Sequence, residues 1–177
     1  HWCRERAEHW PESLSVLSTH DTKRSADARL RISLLSEIPD EWFRAVRRWS
    51  ETNERYRTAG MPDGNDEYLL YQALVGTWPI DQARVLQFAR KAVREAKRRT
   101  AWITGNDDYD RAVERFVEGI LSDAGFAEDL GEFVHTLERT SRASSLAQTL
   151  TRMTASRIPQ VYRGDELWRF SLVDPDN

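Results

Sequence analysis

The chain has 177 residues, 40% of them hydrophobic, which suits about one domain with its own core. Its 26 basic and 29 acidic residues leave a net charge of -3, so bulk charge points to neither nucleic acid nor an anionic membrane. Cys3 is the single cysteine, which excludes an internal disulfide and favours a reducing, cytoplasmic setting. No apolar run reaches the roughly 20 residues of a membrane span, and no signal peptide is visible. The start at His1 rather than Met, and the stop at Asp174-Pro175-Asp176-Asn177, predict a piece of a longer protein.

Residues 1–12 read as the tail of a helix stopped by Pro11. The alternating, partly β-branched run Ser13-Leu14-Ser15-Val16-Leu17 predicts a buried strand over 13–18. A helix over 25–36 follows, with Ser25 or Asp27 able to cap it. Pro39-Asp40-Glu41 opens the next, which runs to about Thr58. Asn65-Asp66-Glu67 is expected to cap a helix from Tyr68 to Val75, closed by Gly76 and Pro79. A long helix covers Asp81 to Arg99, with Val85, Ala89, Ala92 and Ala96 on its apolar face. Asn106 caps a helix from Tyr109 to Leu121, and Gly125 separates another near 128–139. A last helix covers 141–156, with Leu146, Leu150 and Met153 on one face. Ile158-Pro159-Gln160-Val161-Tyr162 reads as a second strand, its Pro near the start where a missing N–H matters least.

The polar stretch Thr19-His20-Asp21-Thr22-Lys23-Arg24 sits between the first strand and the following helix. Four ionisable groups in five residues are costly to bury unless paired, and useful lining a polar pocket. An ionised carboxylate there can hydrogen-bond sugar hydroxyls and oppose positive charge in an oxocarbenium-like transition state. The two strands lie far apart in sequence, with polar segments at both C-terminal ends. A parallel pair needs only a dozen or more residues between its strands. The excess predicts a large helical insertion followed by an ordinary crossover helix, giving units at 1–24, 25–140 and 141–177.

Several runs, in order along nearly the whole chain, carry a resemblance. They are Ser18-Thr19-His20-Asp21-Thr22-Lys23-Arg24 with Leu35-Ser36-Glu37, Asn65-Asp66-Glu67-Tyr68-Leu69-Leu70-Tyr71-Gln72, and Gly76-Thr77-Trp78-Pro79. Lys91-Ala92-Val93-Arg94-Glu95-Ala96-Lys97, Ser145-Leu146-Ala147-Gln148-Thr149-Leu150 and Tyr162-Arg163-Gly164-Asp165-Glu166-Leu167-Trp168 continue it into Ser171–Asn177. Together they resemble maltooligosyltrehalose synthases of the α-amylase superfamily. The match departs at Arg163 and Asp165.

The resemblance implies a (β/α)8 barrel of which this chain supplies strands seven and eight, with an all-helical insertion between them, so that the piece itself is mainly α. It implies an enzyme that converts the reducing-end α-1,4 linkage of a maltooligosaccharide to an α,α-1,1 linkage, an intramolecular transglucosylation without cofactor or metal. Residue by residue, it assigns Asp21 as transition-state stabiliser and His20 as a sugar-hydroxyl contact. Lys23, Arg24, Tyr162 and Glu166 become substrate contacts. The nucleophile and acid/base are expected elsewhere in the parent barrel, so the piece alone is expected to be inactive. The implied partners are a maltooligosaccharide and the rest of that barrel, with no nucleic acid and no membrane. Other hydrolases or transglucosylases of the superfamily, or a non-enzymatic helical interaction module, are the alternatives.

Two further patterns have plainer explanations. Trp42, Trp49 and Tyr56 share a helix face and read as core rather than as a sugar-stacking platform. Arg84, Arg90, Lys91, Arg94, Lys97, Arg98 and Arg99 outnumber Asp81 and Glu95 and read as a solvated helix face rather than a nucleic-acid stripe, since no aromatic row accompanies them.

Overall fold

The computed structural model describes residues 1–155, 158–162 and 164–173. Arg163, Ser156 and 174–177, all named above, lie outside the described residues. Among the described residues there are seven α-helices and one two-stranded sheet. In chain order they are α1 (Trp2–His9), β1 (Leu14–Val16), α2 (Ala26–Ser33), α3 (Pro39–Asn53), α4 (Gly64–Thr77), α5 (Gln82–Ala96), α6 (Asp107–Ser122), α7 (Ala124–Thr154) and β2 (Ile158–Gln160). Short 3-10 turns at His20–Thr22, Leu34–Ser36 and Glu54–Tyr56 join them.

Local chemistry sets the helix starts. Ser25 caps α2, its hydroxyl accepting from Ala28 N. Pro39 sits in the first turn of α3 beside Asp40 and Glu41. Asp81 caps α5, Asn106 caps α6 and Asp123 caps α7. The cap of α4 is Asp63, which accepts from Asn65 N and Asp66 N at 3.1 Å, rather than the expected 65–67 run. That run lies inside the first turn, where its acids suit the positive helix end. α5 stops at Lys97, which turns into the left-handed region at φ 55.

The core forms where α3, α4 and α7 meet. Trp49 is buried, with its ring centroid 5.4 Å from Tyr71, 5.8 Å from Phe126 and 5.5 Å from Phe133, all edge-on. Trp42 joins it at 5.9 Å, so the aromatic seven-residue spacing is core. α5 packs along α6, and α2 lies across α4 and α7. Val85, Ala89 and Val93 form the buried stripe of α5; Ala96 is exposed and Ala92 only half-buried.

Two expectations fail in the last third. The helices expected at 128–139 and 141–156 are one helix, α7, which starts at Ala124 and runs unbroken through Arg139-Thr140-Ser141. Gly125 does not separate it, because Asp123 caps just before it. No proline or glycine interrupts 132–155, so nothing stops propagation. Along α7 the buried seam is Phe126, Leu130, Val134, Leu137, Ser141, Ser145 and Arg152. Leu146, Leu150 and Met153 share one face of α7, as expected, and that face is exposed.

β1 and β2 pair in parallel, Leu14 with Ile158 and Val16 with Gln160. The expected burial of β1 does not hold: Leu14 and Val16 are exposed, as is Ile158. A strand with one neighbour in this sheet lacks the second layer that burial requires. The parallel register brings the segments after both strands to the same end of the sheet.

Candidate active site

The loop after β1 folds on itself. Thr19 Oγ1 accepts from Asp21 N at 3.2 Å, and Thr22 Oγ1 donates to Thr19 O at 2.8 Å and to Arg24 O at 3.1 Å. These bonds close the turn at His20–Thr22 and leave its ionisable side chains outward. His20 and Asp21 are exposed, with His20 Nε2 3.2 Å from Asp21 Oδ2. Lys23 adopts φ 63, a left-handed conformation that costs a non-glycine residue of order 1 kcal/mol and persists only where surroundings enforce it.

The enforcement comes from the far end of the described chain. Val173 N donates to Lys23 O at 2.9 Å, and Ser25 N donates to Ser171 O at 2.9 Å, so 171–173 runs antiparallel to 23–25. Ser25 Oγ also accepts from Ser171 N at 3.2 Å and bonds Arg169 O. Asp27 accepts from Arg169 N at 2.7 Å and from Ser145 Oγ at 2.5 Å. The carboxylate expected as an alternative cap of α2 therefore ties α2 to α7 and to the C-terminal strap.

Lys23 and Arg24 turn toward α5. The Lys23 ammonium lies 3.1 Å from Glu95 Oε2. The Arg24 guanidinium stands 5.4 Å from the Phe88 ring centroid, and burial pulls its pKa down. Both residues line a cavity of about 160 Å³ with Gln87, Phe88, Lys91 and Glu95. Glu166 is exposed and lines a different groove, of about 260 Å³, with Asp27, Ser145, Thr149, Asp165 and Trp168. Burial raises the pKa of Asp165 there, and the charge of Asp27 raises it further. Tyr162 is half-buried, and its carbonyl accepts from Asp165 N at 2.9 Å. The sheet thus gathers the predicted residues at one end, but the cavity beside Lys23 and the groove beside Glu166 are separate.

Sequence reasoning missed Glu95, Phe88, Asp27 and Ser171. Their partners are distant in the chain, and only Phe88 and Glu95 carry a local signal, being seven apart and so on one helix face. The basic run over 84–99 is largely spoken for. Arg90 pairs with Glu114, Arg94 with Asp110 at 2.9 Å, and Arg99 with Asp63 at 3.1 Å. That leaves little of a phosphate-binding stripe. Among the described residues no group of three or more His, Cys, Asp or Glu side chains is placed to hold a metal, and no helix is long and apolar enough to cross a membrane.

A scan against models of known protein families finds no match. A Mycobacterium tuberculosis protein provisionally named maltooligosyl trehalose synthase is 35% identical over 184 residues, covering 100% of this chain and 23% of the relative. The structure of maltooligosyltrehalose synthase from Arthrobacter ramosus superposes with a TM-score of 0.88 at 38% identity, over 99% of this chain and 22% of that one. A hypothetical maltooligosyl trehalose synthase from Sulfolobus tokodaii gives 0.82 at 35%, over 90% and 22%. The chain spans less than a quarter of the length of these relatives.

Proposed function

We propose, from the premise that this chain is related along its whole length to maltooligosyltrehalose synthases, that it is one segment of such an enzyme. In this reading β1 and β2 are strands seven and eight of a (β/α)8 barrel, and the helices between them are an insertion. The remaining polypeptide, some three quarters of the relatives' length, covers the exposed strand residues and the Leu146–Leu150–Met153 face of α7. It also supplies the nucleophile and the acid/base. The enzyme moves the reducing-end glucose of a maltooligosaccharide from an α-1,4 to an α,α-1,1 linkage.

The reaction of a retaining enzyme of this kind passes through a covalent glycosyl-enzyme and an oxocarbenium-like transition state. Asp21 is the stabilising carboxylate. It sits on the first turn after β1, where catalytic groups of such barrels stand. Its Oδ2 faces His20 Nε2 at 3.2 Å, which orients the carboxylate while leaving Oδ1 for a sugar hydroxyl. Lys23 contacts the glucose that is released and reattached. Arg24 supports the loop from behind, over Phe88. Tyr162 and Glu166 border the same end of the sheet from the second strand. The observation that carries this reading is the outward His20–Asp21 pair, held on a closed turn at a strand end, in a chain matching those enzymes throughout.

The test is Asp21→Asn in the full-length enzyme. The substitution keeps shape and one acceptor but removes the charge. Losing one preorganised electrostatic contact costs about 3 to 4 kcal/mol, so kcat should fall by about two to three orders of magnitude. KM should move far less, because the interaction is made mainly in the transition state. Near-parental turnover on maltopentaose, with folding verified by melting, would refute the assignment.

A further inference from the structure

We propose that Glu95, on the helical insertion, is a positioning residue for the active-site loop, acting by fixing the ammonium of Lys23. The inference rests on the role given to Lys23 above. Both Glu95 oxygens face Lys23 Nζ, at 3.1 and 3.4 Å. Lys23 belongs to the strand-end loop and Glu95 to the last turn of α5, 72 residues later. The contact therefore joins the loop to the helical unit.

The local charges make this pairing decisive for where Lys23 points. Lys91 and Arg24 line the same cavity as Lys23, and among the described residues Glu95 is the one acid lining it. Without the Glu95 charge, the ammonium shares this cavity with the cations Lys91 and Arg24. Its four-carbon stem then lets it leave. The backbone of Lys23 cannot compensate, since at φ 63 it already depends on outside contacts, with Val173 N on its carbonyl as one. Glu95 by contrast stands on a fixed base. α5 buries Val85, Ala89 and Val93, and Arg94 clamps it to α6 through the buried Asp110. One helix face carries Phe88 against Arg24 and, seven residues on, Glu95 against Lys23. The insertion thus grips two successive loop residues from one side, while the 171–173 strap holds the backbone from the other. Glu95 is exposed, in keeping with a solvated helix face, yet it is paired with Lys23 across the loop.

The experiment is a double-mutant cycle in the full-length enzyme, with Glu95→Gln, Lys23→Met and both together. Formation of trehalose-ended product from maltopentaose is followed as kcat and KM, alongside melting temperature. Glu114→Gln serves as control, since it breaks another ion pair of α5 that does not touch the loop. Glu95→Gln should lower kcat roughly three- to tenfold, between the value of a half-exposed ion pair and the cost of a misplaced group. The loss should disappear in the Lys23→Met background, and Glu114→Gln should keep parental turnover at a similar melting temperature. An equal loss in both backgrounds, or none in either, overturns the positioning role. Parental turnover in Lys23→Met also overturns it, by removing the role of Lys23 itself. Failure of the wider reading shows separately, in Asp21→Asn.

Discussion

At the scale of single residues, the core depends on polar partners for its largest side chains. Trp49 is buried, yet its indole N–H must be satisfied, and Asp129 Oδ2 accepts it at 2.6 Å. Arg48 holds the same carboxylate from the solvent side, at 2.9 and 2.8 Å. Burial works against the Asp129 charge, but the Arg48 and Trp49 hydrogen bonds overcome it and hold its pKa below the usual carboxylate value. Arg48 is half exposed, so solvent screens its share. Asp129→Ala should therefore cost about 2 kcal/mol at neutral pH, chiefly by stranding the Trp49 N–H, with melting several degrees lower. A depressed folded pKa gives stability that is complete above the unfolded value of about 3.9. It is lost as pH falls through the folded value. The gap between parent and Asp129→Ala should thus narrow below about pH 4 in a melting series, and a gap that widens there would contradict the pairing.

At the scale of elements, the close approach of α6 to the turn after α3 is set by a missing side chain. A Cβ on Gly119 would stand 2.4 Å from Tyr56 Cδ1 and 2.7 Å from its Cγ. The ring cannot yield easily, because its hydroxyl donates to Asp123 at the cap of α7. Gly119→Ala would gain about 1 kcal/mol of helix propensity but overpack by about 1 to 3 kcal/mol. A net fall in melting temperature is expected, and a rise would show that the turn gives way freely. Helix starts were legible where one residue both caps and precedes the run, as at Ser25, Asp81 and Asn106. They were less so at Asp63, where a second acidic run two residues on offered a rival cap. The continuity of α7 was not legible, because a change from large apolar to small polar seam residues looked like a boundary while the backbone had no reason to stop.

At the scale of the molecule, the apolar surface is unevenly finished. Leu14, Ile158, Leu146, Leu150 and Met153 are exposed around the sheet and the C-terminal half of α7. A face of this kind signals something that covers it. If the remaining polypeptide does so, Leu150→Glu should lower the melting temperature of the full-length enzyme by an amount typical of a buried charge. The same change should leave the 177-residue chain alone as stable and less prone to associate. Equal effects in both settings would place Leu150 in open solvent. The two short strands and the loop cluster were legible from sequence, since each is a stretch of contiguous residues. The strap at 171–173 and the grip of α5 were not, since they arise from residues distant in the chain that only the packed helices bring together. The long helix then has a consequence for how the segment can change. In α7 the core contacts of Val134 and Leu137 and the Ser145–Asp27 bond lie on one rigid shaft. Each residue of a helix turns it by about 100°. Adding or deleting one residue between them throws the far half out of phase. The helical unit can therefore gain or lose length in its loops, but it cannot be exchanged as a cassette unless the splice preserves the phase of this shaft.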